Sequence, residues 1–409
     1  MRRRWLAALA LAVLMACGRE ERTEVKEKIQ NAVDDIAAPV GDREDPAQRE
    51  KERFDNSWRS LETFQQGPPQ QHGPPEPPVI DVVFVQNVKE TFKNLDANAI
   101  NSAPVSVPIE GDVSGPSVLK TQVYLDRVHF SVGVLDGRWG RNSAIALWWY
   151  QHSHGLEATG SVDETTFRLL AAASPGVQAV VSHTLTDDDV KGPFVTIPED
   201  VYEKESLECL CYESLQEKLS EQFHTTVEFL ELLNPGVSFS SLTAGQSIFV
   251  PNVRDAMTTD QPDLASVVIS IRGNTFNGYD AAGNVVLHAP TTLGSKYDPS
   301  PSETLSVKGI VHDPHFHYQP TLFAEVPDSD PEAHLKPGPN SPVGVVWIAL
   351  SKAHFGIHGT ADPDSIGYAS SHGCVRLTNW DAAEVGHRVA KGVSVRFVDT
   401  RQNQNSPGA

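Results

Sequence analysis

Two short runs near the C-terminus hold residue types that can perform nucleophilic chemistry. One is Ile357-His358-Gly359-Thr360; the other is Ser371-His372-Gly373-Cys374-Val375-Arg376-Leu377. A cysteine attacks as its thiolate, so it needs a base, and the oxyanion it creates needs backbone N–H groups close by. Cys374 is the candidate nucleophile, with His358 and His372 as two candidates for the base. The carbonyl of Gly359 is placed to hold the second ring nitrogen of His358, a role that a carboxylate plays in other triads. Gly373 lets the backbone come close, and the amides of Gly373 and Cys374 are the expected oxyanion donors.

These two runs resemble the signature of the YkuD-type L,D-transpeptidase catalytic domain, over roughly the last third of the chain. The resemblance implies Cys374 as nucleophile, His358 as base and His372 as a supporting histidine, with no cofactor and no metal. Arg376 and Ser371 then become substrate contacts, since a guanidinium suits the carboxylates of a peptidoglycan stem. The implied reaction cleaves the bond to the terminal D-alanine of a tetrapeptide stem through a thioester. A neighbouring stem as acceptor would give a 3–3 cross-link; a lysine would attach a wall protein; water would give an L,D-carboxypeptidase. Other readings are an amidase of the same fold and a non-catalytic peptidoglycan-binding lipoprotein.

The elements that must position these residues read as strands. Residues 264–400 carry β-branched and alternating runs at Val267–Ile271, Asn274–Tyr279, Asn284–Ala289, Gly344–Leu350, Phe355–His358 and Val393–Val398. Thr378-Asn379-Trp380-Asp381 opens one helix with Ala382, Val385 and Val389 inward. The expected fold is a mainly-β sandwich with that helix, as the resemblance implies. Lys336–Gly344 resembles the segment preceding the catalytic strand in that family. The run His312-Asp313-Pro314-His315-Phe316-His317 has metal-ligand residue types but irregular spacing, and reads as a substrate-facing loop.

Two modules precede this domain. Residues 117–172 read as three helices; the run Gly133–Gly140, with Gln151, Gly155-Leu156 and Thr159-Gly160, resembles the peptidoglycan-binding domain. Of Trp148 and Trp149, at least one is expected in the core. Residues 205–253 read as helix, helix, Asn234-Pro235-Gly236 and a closing strand, which resembles the glycan-binding βααβ LysM module. Its first strand is not visible among the charges of Glu203–Cys211. Both modules are expected to act as separate wall binders that raise the local concentration of substrate. Cys209 and Cys211 are expected to have a structural or incidental role, without a disulfide scaffold.

The N-terminus reads as a lipoprotein signal peptide over residues 1–16. Met1-Arg2-Arg3-Arg4 is basic, Trp5–Ala16 is apolar but short for a membrane span, and Leu14-Met15-Ala16-Cys17 resembles a lipobox. Cys17 would carry the lipid anchor. Residues 17–116 form an acidic and proline-rich tether. The resemblance to lipoprotein sorting places the chain in the periplasm, on the inner face of the outer membrane, with peptidoglycan as its partner. A net charge of −20 argues against nucleic acid.

Overall fold

The computed structural model describes residues 82–254, 261, 263–295, 299–323 and 326–398. The readings of residues 1–81, including the signal peptide, Cys17 and the proline-rich stretch, lie outside the described residues. Contacts divide the chain into two units, residues 1–51 with 320–331 and residues 52–319 with 332–409. In the first, Pro320–Leu322 forms one 3-10 turn. The second holds everything that follows.

Folded structure starts well before residue 117. Strand β1 (Phe84–Gln86) pairs in parallel with β2 (Val105–Val107), and a helix spans Ala97–Ser102 between them. Ile100, Val105, Val107 and Ile109 are buried with the helical domain, so the tether must end by about residue 82. The local sequence hid this because both strands are three residues long and pair across a gap. Glu90 explains part of the attachment. Its carboxylate accepts from the Ser117 amide at 2.8 Å and the Ser117 hydroxyl at 2.7 Å. That satisfies free donors at the start of a helix whose positive end favours an anion.

The three expected helices are Pro116–Arg127, Arg141–Ser153 and Glu164–Ala173. Leu119, Val123, Leu147, Phe167 and Leu170 fill their shared core. Both Trp148 and Trp149 are buried there, which leaves neither ring open for sugar stacking.

The next module has a strand upstream of its expected boundary. β3 (Val180–Thr184) pairs antiparallel with β4 (Ser247–Pro251). Helices Leu215–Gln222 and Val227–Leu233 lie between them, capped by Ser214 and Thr226. Leu185, Leu219, Leu230, Ile248 and Val250 form the core. The stretch 185–213 separates β3 from its first helix, so a search beside that helix finds no strand. Within this stretch Cys209 and Cys211 form a disulfide, against the expectation from sequence, with Cα atoms 5.2 Å apart. Neither helix nor strand holds them. The chain bends around buried Leu210, whose amide donates to the Pro337 carbonyl and whose carbonyl accepts from the Asn340 amide.

The C-terminal domain contains β5 (Ser266–Ser270), β6 (Thr275–Tyr279), β7 (Val285–Pro290), β8 (Thr304–His312), β9 (Phe316–Tyr318), β10 (Ala333–Leu335), β11 (Val346–Leu350), β12 (Gly356–His358), β13 (Val375–Arg376) and β14 (Ser394–Val398). Hydrogen bonding links eight strands in the order β13-β12-β11-β8-β14-β5-β6-β7, with β8 shared: its start pairs with β14 and its remainder with β11. The pairings of β8 with β11 and β14, and of β14 with β5, join strands distant in sequence, so strand patterns alone do not reveal them. Every one of the eight strands contributes to a single core, together with Ala382 and Val385 of the helix Asn379–Arg388. β9 and β10 form a separate antiparallel ribbon.

A buried charge cluster joins the three modules. Arg254 pairs with Asp126 of the first helix, donates to Asp381 at 2.6 Å and reaches Glu384 at 2.8 Å. His224, from the second module, lies 2.9 Å from Asp126 and stacks on Trp380. Arg388 completes the cluster at 2.6 Å from Glu384. Burial, the largest single influence, would raise the Asp126 and Glu384 carboxyls, but Arg254 together with His224 at Asp126, and with His129 and Arg388 at Glu384, outweighs it and holds both below the usual range. The helical domain also exchanges backbone hydrogen bonds with β7 through Ser131 and His288, and with the second module through Leu135 and His224.

Candidate active site

β12 carries His358 to the end of the sheet that β13 closes. The two strands pair in parallel, with Ile357 opposite Val375 and His358 opposite Arg376. Paired residues on neighbouring strands share a face, as do residues two apart along a strand. That register brings His358 and Arg376 to one position of the sheet edge, with Cys374 in the bend just before β13, and the Arg376 charge acts on both His358 and Cys374.

His358 is buried, at 4% exposure. Its Nδ1 lies 2.7 Å from the Gly359 carbonyl, and its ring stacks on Trp347 of β11. Donation from Nδ1 to a carbonyl fixes the tautomer and leaves Nε2 as the basic nitrogen. Burial, aided by the nearby Arg376 charge, lowers the imidazole pKa to about 3, while the Gly359 carbonyl opposes that shift. The ring is therefore neutral at rest.

Cys374 is the free cysteine among the described residues. Its thiol contacts the His354 carbonyl at 3.5 Å. Burial pushes the thiol pKa up, and the Gly356 amide and the Arg376 guanidinium pull the other way. Thiol and imidazole are thus each held in the neutral form, with the shared Arg376 charge favouring the thiolate once a proton moves. Burial lowers the pKa of Arg376, and the Cys374 and Asp362 charges oppose this. Its Nε is buried without a hydrogen-bond partner.

The loop before Cys374 is held from both sides. Gly373 has φ +103°, and a Cβ there would come within 3.0 Å of the Phe355 ring. The Ser300 hydroxyl donates to the Gly373 carbonyl at 2.8 Å. Ser371 differs from its expected role as a substrate contact. Its hydroxyl donates to the Cys374 carbonyl at 2.6 Å and accepts from the Gly373 amide at 3.2 Å. It therefore staples the loop, and the Gly373 amide is already engaged rather than free for an oxyanion. His372 is exposed, outside the buried face that holds His358.

Sequence reasoning missed several supports of this site. A Cβ on Gly359 would fall 2.1 Å from Asn379 Oδ1, so only glycine fits that close approach. Asn379 in turn donates through Nδ2 to both oxygens of Glu221 at 3.1 Å and to the Pro339 carbonyl at 3.1 Å. Burial raises the Glu221 pKa to about 7 against the hydrogen bonds from Asn379 and Tyr212. The loop between the two motifs is braced by the helical domain. Arg141 donates to the Gly367 carbonyl at 2.9 Å, and Asn142 to the Ile366 carbonyl at 2.9 Å. Asn379 and Glu221 are ordinary polar residues in sequence, with no local signal of this role.

Comparison with known proteins bears on the same residues. Residues 265–397 match the L,D-transpeptidase catalytic domain family, YkuD, and residues 114–170 match a peptidoglycan binding domain family. The chain is 30% identical over 179 residues to an L,D-transpeptidase YkuD of Bacillus licheniformis, covering 44% of this chain and 90% of that protein. It is 28% identical over 177 residues to its Bacillus subtilis counterpart, covering 43% and 89%. A solved L,D-transpeptidase from Mycobacterium smegmatis aligns at 24% identity and a TM-score of 0.27, covering 32% of this chain and 58% of that one. Nine-tenths of a relative's length is thus accounted for at 30% identity, and the sheet edge bearing His358 and Cys374 falls inside the catalytic-domain match; the chain belongs to the YkuD-type L,D-transpeptidase family.

Proposed function

We propose that this transpeptidase works through a Cys374 acyl-enzyme on tetrapeptide stems of peptidoglycan, with His358 as its base. The observation that carries this reading is the parallel register of β12 and β13, with His358 opposite Arg376 and its Nδ1 tied to Gly359. In the first step His358 Nε2 takes the thiol proton while Sγ attacks the carbonyl carbon before the terminal D-alanine. Separating charge in a buried site is costly, and three features lessen that cost: the Gly359 carbonyl behind the imidazolium, and the Gly356 amide and Arg376 charge beside the thiolate. The C–N bond then breaks, the imidazolium returns its proton to the departing amine, and a thioester remains. An acceptor amine attacks the thioester carbonyl, loses its proton to His358, and restores the thiol.

The buried Nε of Arg376 is a donor suited to a stem carboxylate. A neighbouring stem as acceptor gives a 3–3 cross-link; a wall protein's lysine gives attachment. The module around β3 and β4 is read as a LysM-like glycan binder, and Cys17 as the lipid anchor that holds the enzyme in the periplasm at the outer membrane. Incubation with defined tetrapeptide muropeptides, followed by mass analysis, tests the reaction. Release of D-alanine with a cross-linked dimer is expected. A dimer retaining all its D-alanine, or no product at all, would reject it.

A further inference from the structure

The His312–His317 run does not act as a unit. His312 stacks on His387, with ring centres 4.7 Å apart. His317 lies elsewhere, on β9, directly opposite His334 on β10. Cross-strand partners share a face, and so do residues two apart on one strand. Glu332, two residues before His334, therefore joins the two imidazoles. One donor atom from each of His317, Glu332 and His334 falls within 4.8 Å of the others, and all three residues are exposed.

We propose that His317, Glu332 and His334 bind one divalent transition-metal ion, of the zinc class, across the β9–β10 ribbon. Four observations carry this. The two rings are neighbours with centres 4.2 Å apart, so a modest rotation of each about its side-chain bonds would turn a nitrogen toward a shared ion. His317 Nε2 lies 2.8 Å from a Glu332 oxygen. Around a tetrahedral zinc with bonds of about 2.0–2.1 Å, donors sit about 3.4 Å apart, so an ion needs only small side-chain shifts. The Gln319 amide nitrogen lies 3.3 Å from His317 Nδ1, and a half-turn of the amide would exchange that nitrogen for its oxygen. With its oxygen turned inward it accepts Nδ1–H and leaves the Nε2 lone pair for the ion, as an outer partner of a ligating histidine should. Finally, the backbone is fixed: the His334 amide donates to Glu205 at 2.8 Å, and the opposite face of the ribbon buries Ala333 and Leu335 against Leu210.

Two imidazoles and a carboxylate favour zinc, nickel or copper over magnesium or calcium. Three protein ligands leave a fourth position for water. Spanning two strands, the ion would clamp β9 to β10.

The test uses the full chain with Cys17→Ser and Cys374→Ser, so that no free thiol binds metal. Calorimetric titration with zinc should show one ion per chain at micromolar affinity, a higher melting temperature, and no response to magnesium. His334→Ala or His317→Ala should weaken binding at least about tenfold, and Gln319→Leu about tenfold. His312→Ala should leave it intact. Glu332→Gln keeps the shape of the ribbon, and it should weaken zinc binding even if a histidine variant misfolds. No zinc binding in the parent, or binding unchanged in both His334→Ala and Glu332→Gln, would overturn the proposal.

Discussion

The His358–Cys374 edge and the Arg254 cluster are both buried groups of titratable side chains, and they treat charge in opposite ways. At the sheet edge burial wins: it holds His358 low and pushes Cys374 up, so both are neutral. At the cluster pairing wins for two of the three carboxylates: Asp126 and Glu384 are held below the usual range, while burial still raises Asp381. A buried charge without a partner is expensive, whereas a paired one with full hydrogen bonding is tolerated. A catalytic pair gains from the first condition, since the charge then appears only during reaction. A junction between modules gains from the second, since losing any partner is costly.

The comparison breaks most sharply at Cys374. With Cys374 as the proposed nucleophile, a carbapenem should form a covalent adduct with the parent protein and none with Cys374→Ala. Its stability should change by about 1 kcal/mol or less. An adduct on the variant, read by mass spectrometry, would place the nucleophile elsewhere.

Removing the junction comes next. If the modules were separate binders, a fragment starting near Pro262 would keep full activity on small soluble muropeptides. The cluster argues otherwise, because Asp381 and Glu384 would lose Arg254. The fragment should melt lower and act more slowly on small muropeptides and intact sacculi alike. Full activity on the small substrate would mean that the junction is dispensable.

Arg254→Met isolates the pairing itself. It leaves three carboxylates without their shared cation and should cost about 3–5 kcal/mol in urea unfolding. A loss below about 1 kcal/mol would show that the carboxylates take up protons or water instead.

Glu221 sharpens the comparison, being buried like the cluster but without a cation. Its folded pKa is raised from the usual carboxyl value to about 7. The folded state thus holds a proton that the unfolded state releases, and this contribution is lost as pH rises from about 4.5 to 7. Glu221→Gln should therefore gain stability relative to the parent between pH 5 and pH 8, by up to about 3 kcal/mol. A difference independent of pH would reject the protonated carboxyl.

The smallest effect expected is at Arg376. Arg376→Gln removes a charge that favours the thiolate, so the pH midpoint of Cys374 alkylation by iodoacetamide should move further up. No movement would mean that the guanidinium is too screened to matter.

Much of the site was legible because its chemistry is local. The glycine beside each histidine and the thiol are signalled by residue type and spacing. The helices of 116–173 and 215–233 follow from apolar periodicity and from the caps at Asp163, Ser214 and Thr226. The turn between β6 and β7 is likewise local in origin, since the Asp280 side chain closes it by accepting from the amides of Ala282 and Asn284. Less legible were features set by distant partners. β3 lies upstream of the boundary expected for its module, and β1 and β2 are too short to show a pattern. Ser371 was taken for a substrate contact because its hydroxyl, read alone, has no visible partner; in the fold the loop itself takes both of its hydrogen bonds.

The sequence by itself determined the candidate catalytic residue types, the helices and most strands, because those depend on side chains within one turn or one strand of each other. Only the tertiary structure decided which groups meet: Asn379 and Glu221 behind Gly359, Arg254 among three carboxylates, His317 opposite His334 rather than beside His315. Such contacts are fixed by strand register and by packing between modules. Both depend on the balance of burial and pairing over the whole chain, which no short stretch of residues encodes.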